Sequence, residues 1–186
     1  KIIVSKLVIL SCSFSLVLIA MARPQWGYEE QTSFSKGRTV MLAIDASRSM
    51  LAEDLTPNRL SRAKLAAYDL IDALPEDLIG LMAFSGSASI MVPVTQDRDA
   101  LKESIDQLDT YAVAKGGTNL AEAIKEATDT LIESETDSHA LILFTDGENL
   151  DGDALKEAKK AKEKGTMIVT IGAVSYTHLR AHETDR

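Results

Sequence analysis

Short apolar runs that end at polar side chains constrain this fold more than any other feature. The run Val40–Ile44 has the length of a strand, and Asp45, Ser47 and Ser49 follow it at once. Consecutive apolar residues of this length fit a strand that is buried on both faces, as in a parallel sheet. Open α/β sheets bind ligands beyond the carboxyl ends of their strands. The polar triplet therefore stands where such a sheet would bind a ligand.

Asp45, Ser47 and Ser49 can point the same way, because alternate residues of an extended or curling backbone share a face. The triplet offers one carboxylate and two hydroxyls, all with hard oxygen atoms, and no thiol or imidazole. These donors suit Mg²⁺ or Mn²⁺ better than Zn²⁺ or copper. The alternative is an ordinary turn, in which the same side chains bond their own backbone.

Two later segments favour the metal site. A second apolar run, Ala140–Phe144, ends at Thr145-Asp146-Gly147, and Gly116-Gly117-Thr118-Asn119 places a hydroxyl just before a helical pattern. Three separate segments therefore bring oxygen ligands to the ends of predicted elements. The sequence predicts one site for a hard cation, with the ligands Asp45, Ser47, Ser49, Thr118 and Asp146.

The order and spacing of these motifs resemble the metal-ion-dependent adhesion site of von Willebrand factor type A domains. The resemblance covers residues 38–173. It implies that Ser47, Ser49 and Thr118 coordinate Mg²⁺ directly or nearly so, and that Asp45 and Asp146 act directly or through water. It also implies that an acidic side chain of a partner protein completes the coordination. The charges of the predicted ligands agree with this implication. Two carboxylates roughly balance a divalent ion, and the neutral hydroxyls leave the ion electrophilic enough to bind one more anionic oxygen.

The alternation of strand and helix patterns predicts an α/β fold, a doubly wound and mostly parallel sheet flanked by helices. Strands are predicted over 40–44, 78–84, 89–92, 140–144 and 167–171, with 89–92 an antiparallel edge. Helices are predicted from Asn58 to Leu74, over 97–108 and 119–133, and from a cap at Asp151 to Lys164. The resemblance implies one more strand and helix, so we expect the domain to be truncated before them. Residues 174–186 resemble translated sequencing-adapter read-through and are expected to be a non-native tail.

The N-terminal segment predicts a membrane anchor. Residues 1–22 are almost wholly apolar, and a helix of that length comes close to the roughly 30 Å of a bilayer core. The alternative is a secretory signal peptide, because Ala20-Met21-Ala22 has the form of a cleavage site. Residues 23–37 are predicted to be a juxtamembrane linker.

Three short segments resemble the membrane-anchored von Willebrand A proteins of bacterial aerotolerance (Bat) operons. They are Ala22-Arg23-Pro24-Gln25-Trp26, Ser47-Arg48-Ser49-Met50 and Pro57-Asn58-Arg59-Leu60. The resemblance implies a bacterial inner-membrane protein with a periplasmic domain, acting in a multi-protein complex linked to stress or oxygen tolerance. Basic residues flank the apolar segment too evenly to fix its orientation.

Composition and motifs narrow the function. Acidic residues outnumber basic ones, 28 to 20, which argues against nucleic acid as a partner. No Gly-x-Gly-x-x-Gly follows the first strand, so a dinucleotide cradle is absent. A Mg²⁺-dependent phosphoryl-transfer enzyme with Asp45 as nucleophile is the alternative, although Ser47 stands where its second carboxylate would be. We expect a protein-binding module that is not an enzyme and has no small-molecule substrate.

Overall fold

The computed structural model describes residues 5–6, 10–15, 37–134, 136–147 and 153–173. Contacts divide the chain into two compact units, Lys1–Phe34 and Ser35–Arg186.

In the first unit, residues 5–6 and 10–15 are helical and exposed, and the Ser15 hydroxyl donates to the Ser11 carbonyl at 3.0 Å. Most of the predicted membrane helix over 1–22 lies outside the described residues, as does almost all of the linker over 23–37. No helix within the described part of the chain is long and apolar enough to cross a membrane.

The second unit is built on a sheet whose described strands number five. They are β1 (Thr39–Asp45), β2 (Leu78–Phe84), β3 (Ala88–Thr95), β4 (His139–Thr145) and β5 (Thr166–Gly172), in the spatial order β3-β2-β1-β4-β5. β1 pairs in parallel with β2 and β4, and β4 pairs in parallel with β5. Only β3 is antiparallel among them, to β2. The prediction of a mostly parallel sheet with an antiparallel edge is confirmed.

Four α-helices of this unit are described, and each is preceded by an Asn or Asp whose side chain accepts a hydrogen bond from the backbone N–H three residues later. They are α1 (Arg59–Ala73), α2 (Arg98–Gln107), α3 (Leu120–Ile132) and α4 (Ala154–Glu163), with caps at Asn58, Asp97, Asn119 and Asp153. The predicted cap at Asp151 is wrong. Asp153 immediately precedes the first turn of α4 and accepts the Lys156 N–H, whereas Asp151 lies outside the described residues.

Helices cover both faces of the sheet, as the unbroken apolar strands require. Val40, Leu42 and Ile44 of β1 pack into one buried cluster with residues of α1 and α2. Met41 and Ala43 point to the opposite face and pack with residues of α3 and α4. The doubly wound α/β prediction is confirmed.

The chain places the ends of β1 and β4 side by side. Ile44 of β1 is level with Phe144 of β4, so Asp45 and Thr145 follow as neighbours at the carboxyl edge of the sheet. From β1 the chain continues to β2 on one side, while β4 occupies the other side. Such a reversal of strand order opens a crevice where ligands bind in α/β folds.

The two outer strands among the described residues are β3 and β5. Pro93 lies in β3, in agreement with its predicted edge position. β5 leaves Met167 and Val169 exposed, at 56% and 39%. The predicted tail over 174–186 lies outside the described residues.

Candidate metal centre

Asp45, the last residue of β1, is a fully buried carboxylate with a hydrogen bond at each oxygen. Its Oδ1 accepts the Ser47 N–H at 2.8 Å, and its Oδ2 accepts the Thr145 hydroxyl at 2.9 Å. Burial raises the pKa of Asp45 above its ordinary value, the bonds from Ser47 and Thr145 oppose that rise, and the charge of Asp146 adds to it. Asp146 directly follows Thr145 in the chain, so the second carboxylate is attached next to the residue that bonds Asp45.

Ser47 and Ser49 present their hydroxyls together, with Oγ to Oγ 2.9 Å apart. Ser47 is the N-cap of a short 3-10 helix, Arg48–Leu51, and Ser49 lies within that helix; the Met50 N–H donates to the Ser47 carbonyl. Met50 is fully buried in the core beside β1. The core therefore anchors the turn that holds both serines.

Thr118 comes from the loop before α3 and is almost fully buried. The loop is tied to the turn after β2, because the Ser85 hydroxyl donates to the Gly117 carbonyl at 2.7 Å and the Asn119 N–H donates to the Ser85 carbonyl at 2.7 Å. Gly117 has a φ of 107°, a conformation that glycine adopts without strain. The positive φ explains why a glycine directly precedes Thr118.

An open groove of about 540 Å³ contains all three predicted hydroxyl ligands in its wall. Ser47, Ser49 and Thr118 line it. Beside them it is lined by Arg48 and Ser85, and by Tyr111, Val113 and Ala114 of the loop after α2. Arg48 is exposed, and Tyr111 is 85% exposed. The wall of the groove thus combines hydroxyl groups and a basic side chain with an exposed aromatic ring.

Asp146 follows β4, and its side chain is fully buried. Its Oδ2 accepts a hydrogen bond from Arg59 Nη1 at 3.0 Å. Arg59 also donates from Nε and Nη2 to the two oxygens of Asp54, at 2.9 and 3.1 Å. The guanidinium is thus held between two carboxylates, and the bonds to Asp54 and the charges of both aspartates raise the pKa of Arg59.

The structure brings the five predicted residues to one corner of the domain. Three hydroxyls share the groove, Asp45 bonds the backbone of Ser47, and Asp146 is next to Thr145, the other partner of Asp45. No group of three or more His, Cys, Asp and Glu side chains that could hold a metal occurs in the described ranges. The predicted metal site has only two carboxylates, and its other three ligands are hydroxyls. A search for three or more His, Cys, Asp and Glu side chains therefore does not test it.

Sequence reasoning missed the residues that support these five. Thr145 and Asp54 carry no local signal for a role in the site, Ser85 fits an ordinary turn as well as the rim of an ion site, and Arg59 stands only within the motif Pro57-Asn58-Arg59-Leu60. One signal for Arg59 was available: it is the first residue of a helix with no acid in its first turn. A cation is unfavourable at the positive end of a helix dipole, which indicates that acidic groups outside the helix stabilise the charge of Arg59.

Comparison with known proteins identifies the fold family. The family model of the von Willebrand factor type A domain matches residues 40–148, more than half of the chain. The chain belongs to the von Willebrand factor type A domain family. The matched region includes all five predicted ligands. Of the described strands, it omits the first residue of β1 and the whole of β5.

Two solved bacterial structures are similar to this chain over 73% of its length. One is an aerotolerance-related membrane protein from Bacteroides fragilis, with 34% identity, a TM-score of 0.70 and 67% of that chain covered. The other is the conserved hypothetical protein BatB from Bacteroides thetaiotaomicron, with 38% identity, a TM-score of 0.70 and 66% covered. The predicted resemblance to Bat-type von Willebrand A proteins is confirmed.

A curated relative, a UPF0353 protein of Mycolicibacterium paratuberculosis, is 33% identical over 178 residues. The match covers 88% of this chain and 52% of the relative. The chain thus spans about half the length of the curated relatives that it matches.

Proposed function

We propose that this chain is a metal-ion-dependent protein-binding module. Ser47, Ser49 and Thr118 would hold a divalent cation directly, and Asp45 and Asp146 would balance its charge, directly or through water. When bound, the ion supplies an electrophilic position that attracts a carboxylate of a partner protein. The convergence of three hydroxyls on one groove beside two buried carboxylates carries this proposal.

The spacing of the serine hydroxyls is compatible with a small ion. Neighbouring ligands of an octahedral Mg²⁺ site, each at 2.0–2.1 Å from the ion, are about 2.9 Å apart. The Ser47 and Ser49 hydroxyls are 2.9 Å apart. Ligands of Ca²⁺ at 2.3–2.6 Å would be separated by about 3.3–3.7 Å in the same geometry. This spacing is that of the hydrogen bond between the two hydroxyls and is also compatible with Mg²⁺, while the hard oxygen donors favour Mg²⁺ or Mn²⁺.

The groove supports a partner that presents an acidic residue next to an apolar one. Arg48 would attract the carboxylate toward the hydroxyls, while Tyr111 and Ala114, which are exposed, offer an apolar surface to a neighbouring side chain. An exposed tyrosine is a common anchor in protein interfaces because it buries a large rigid area at small entropic cost. The proposed ligand is therefore a protein loop.

The phosphoryl-transfer alternative finds little support in the same geometry. A nucleophilic aspartate must present a free oxygen to its substrate. Both oxygens of Asp45 are engaged, by Ser47 and Thr145, and the residue is fully buried. We therefore infer a module that binds and does not catalyse.

We further propose that residues 1–22 tether the domain to the bacterial inner membrane and that residues 38–173 face the periplasm, in a multi-protein complex linked to stress or oxygen tolerance. The apolar composition of residues 1–22 supports the tether. The similarity to the Bacteroides fragilis aerotolerance-related membrane protein supports the location and the process.

Calorimetric titration with Mg²⁺, Mn²⁺, Ca²⁺ and Zn²⁺ tests the metal site. Mg²⁺ and Mn²⁺ are expected to bind at one site and to raise the melting temperature, and both effects should be lost in Ser47→Ala and Thr118→Ala. Ser87→Ala is the matched control, because Ser87 is in the neighbouring turn but does not line the groove. Melting curves that are identical with and without each ion would refute the proposal, and tightest binding of Zn²⁺ would refute the assignment of the ion.

A further inference from the structure

Arg59 joins the candidate metal centre to the loop in front of α1. Its Nη1 contacts Asp146 Oδ2 at 3.0 Å, and its Nε and Nη2 form a two-pronged contact with Asp54. The Arg59 side chain is 17% exposed and that of Asp146 is fully buried. Little solvent screens this pair, so the charge of Arg59 acts strongly on Asp146.

The position of Arg59 on its helix is electrostatically unfavourable. It begins α1, whose first turn contains no acid, and its cation therefore lies at the positive end of the helix dipole. Asp54 and Asp146 compensate for that cost. Because Asp146 is also a predicted metal ligand, a divalent ion and Arg59 would draw on the same negative charge.

We infer that Arg59 is a built-in cation that weakens the binding of a divalent ion at this site. The inference rests on the proposed metal site. Asp45 and Asp146 supply two negative charges to the ion, and the guanidinium on Asp146 offsets one of them. An ion bound here keeps more of its positive charge, which favours the anionic oxygen of a partner.

A purely structural role for Arg59 predicts the opposite effect on the metal. The Arg59 N–H also donates to the Ala52 carbonyl at 3.1 Å, and the Ala52 N–H donates to the Ser49 carbonyl at 3.0 Å. If the side chain served only to hold this loop, its removal would disorder the serine ligands and weaken binding. The sign of the change in metal affinity therefore separates the two roles.

The experiment measures Mn²⁺ affinity of the full chain by calorimetry, with melting temperatures recorded in the absence of metal. Arg59→Gln removes the charge and is expected to tighten Mn²⁺ binding on the order of tenfold. Arg59→Lys keeps the charge and should stay near the wild-type affinity. Asp54→Asn removes a carboxylate that shares the guanidinium, so it should weaken Mn²⁺ binding a few-fold.

The outcomes distinguish a failure of the inference about Arg59 from a failure of the proposed metal site. Weaker or unchanged Mn²⁺ binding by a folded Arg59→Gln protein would overturn the inference and leave the metal site standing. If Arg59→Gln does not fold, Asp54→Asn decides, since unchanged or tighter binding by that variant would overturn the inference. If the wild-type chain binds neither Mn²⁺ nor Mg²⁺, the proposed function fails, and the inference fails with it.

Discussion

At the scale of single residues, the site depends on a carboxylate that is buried at a cost. Asp45 is fully buried, and its pKa is raised mainly because burial disfavours the charged form. Hydrogen bonds from Ser47 and Thr145 recover part of that cost. A divalent ion would recover more, so the charge that destabilises the metal-free fold is also the charge that attracts the metal.

Asp45→Asn is expected to separate the cost of the buried charge in the metal-free fold from the contribution of that charge to metal binding. Without metal its free energy of unfolding should equal or exceed that of the wild type, because a buried charge is removed while the Asn carbonyl can still accept the Ser47 N–H. At a Mg²⁺ concentration of 100 times Kd the wild type should gain about 2.7 kcal/mol, and the variant almost nothing.

Urea unfolding with and without Mg²⁺ measures both effects. Asp72→Asn is the control, because Asp72 is an exposed carboxylate that pairs with Lys102 and does not line the groove, and it should keep the full gain. An Asp45→Asn protein that is less stable without metal yet gains as much from Mg²⁺ would contradict this account.

Tyr68 gives a second prediction at this scale, in the alkaline range. Its hydroxyl donates to the Lys102 carbonyl at 3.0 Å, and burial, with a contribution from Asp106, raises the pKa of Tyr68 from 10.0 to about 12. The folded state then holds this proton more tightly than the unfolded state. Stability should therefore fall as the pH rises from 10 to about 12, by about 1–2 kcal/mol after allowance for partial exposure.

The measurement is the free energy of unfolding of Tyr68→Phe and wild type between pH 9 and 12. Tyr68→Phe should lose this part of the slope, because it has no proton to release. Tyr111→Phe is the control, since Tyr111 is 85% exposed, and it should keep the wild-type slope. Equal slopes in all three proteins would show that Tyr68 does not contribute.

At the scale of elements, the turn between β2 and β3 supports the loop that carries Thr118. Ser85 bonds this loop through both its hydroxyl and its carbonyl, and the Gly86 N–H donates to the Lys115 carbonyl at 2.9 Å. The two backbones approach so closely that a Cβ at Gly86 would lie 2.1 Å from the Gly116 carbonyl oxygen. The position of one proposed ligand thus depends on a turn that carries none.

Gly86→Ala is expected to push this loop away from Ser47 and Ser49. It should weaken Mn²⁺ binding by about tenfold or more and destabilise the fold by about 1–3 kcal/mol, the usual cost of inserting an atom into a packed region. Calorimetry and urea unfolding measure the two effects. Gly116→Ala is the matched control, because a Cβ there meets nothing within 4 Å, and a similar loss in both variants would argue against the steric explanation.

At the scale of the whole molecule, the candidate centre follows from the winding of the sheet. β1 and β4 are 100 residues apart at the Asp45–Thr145 hydrogen bond, yet they are neighbours because the chain places β2 on one side of β1 and β4 on the other. Each parallel strand ends at the same edge, so polar residues that follow β1 and β4 must meet there.

The N-terminal unit gives a prediction at this scale. If residues 1–22 form an anchor, the full chain expressed in bacteria should sediment with membranes and resist extraction with carbonate, whereas a chain that begins at residue 35 should be released. The N-terminus of the recovered protein, determined by mass spectrometry, is the control for cleavage. A start at residue 23 would support a signal peptide and contradict the anchor.

The sequence alone determined the elements and the chemistry of the site. Unbroken apolar runs require strands that are buried on both faces, and hydroxyl and carboxylate groups after such strands indicate a hard cation, because both signals are local. The start of α4 differs from the prediction, because Asp151 and Asp153 are both suitable cap residues and the path of the chain selects Asp153. The five proposed ligands could be named for the same local reason.

The tertiary structure alone decided how those ligands are held. Arg59 meets Asp146 across 87 positions, Ser85 meets Gly117 across 32, and neither pairing has a local signature. Such contacts depend on which loops the winding of the sheet brings together, and on the burial that strengthens a charge pair. For this reason a reading of the chain could find the proposed metal ligands but not the arginine that shares one of them.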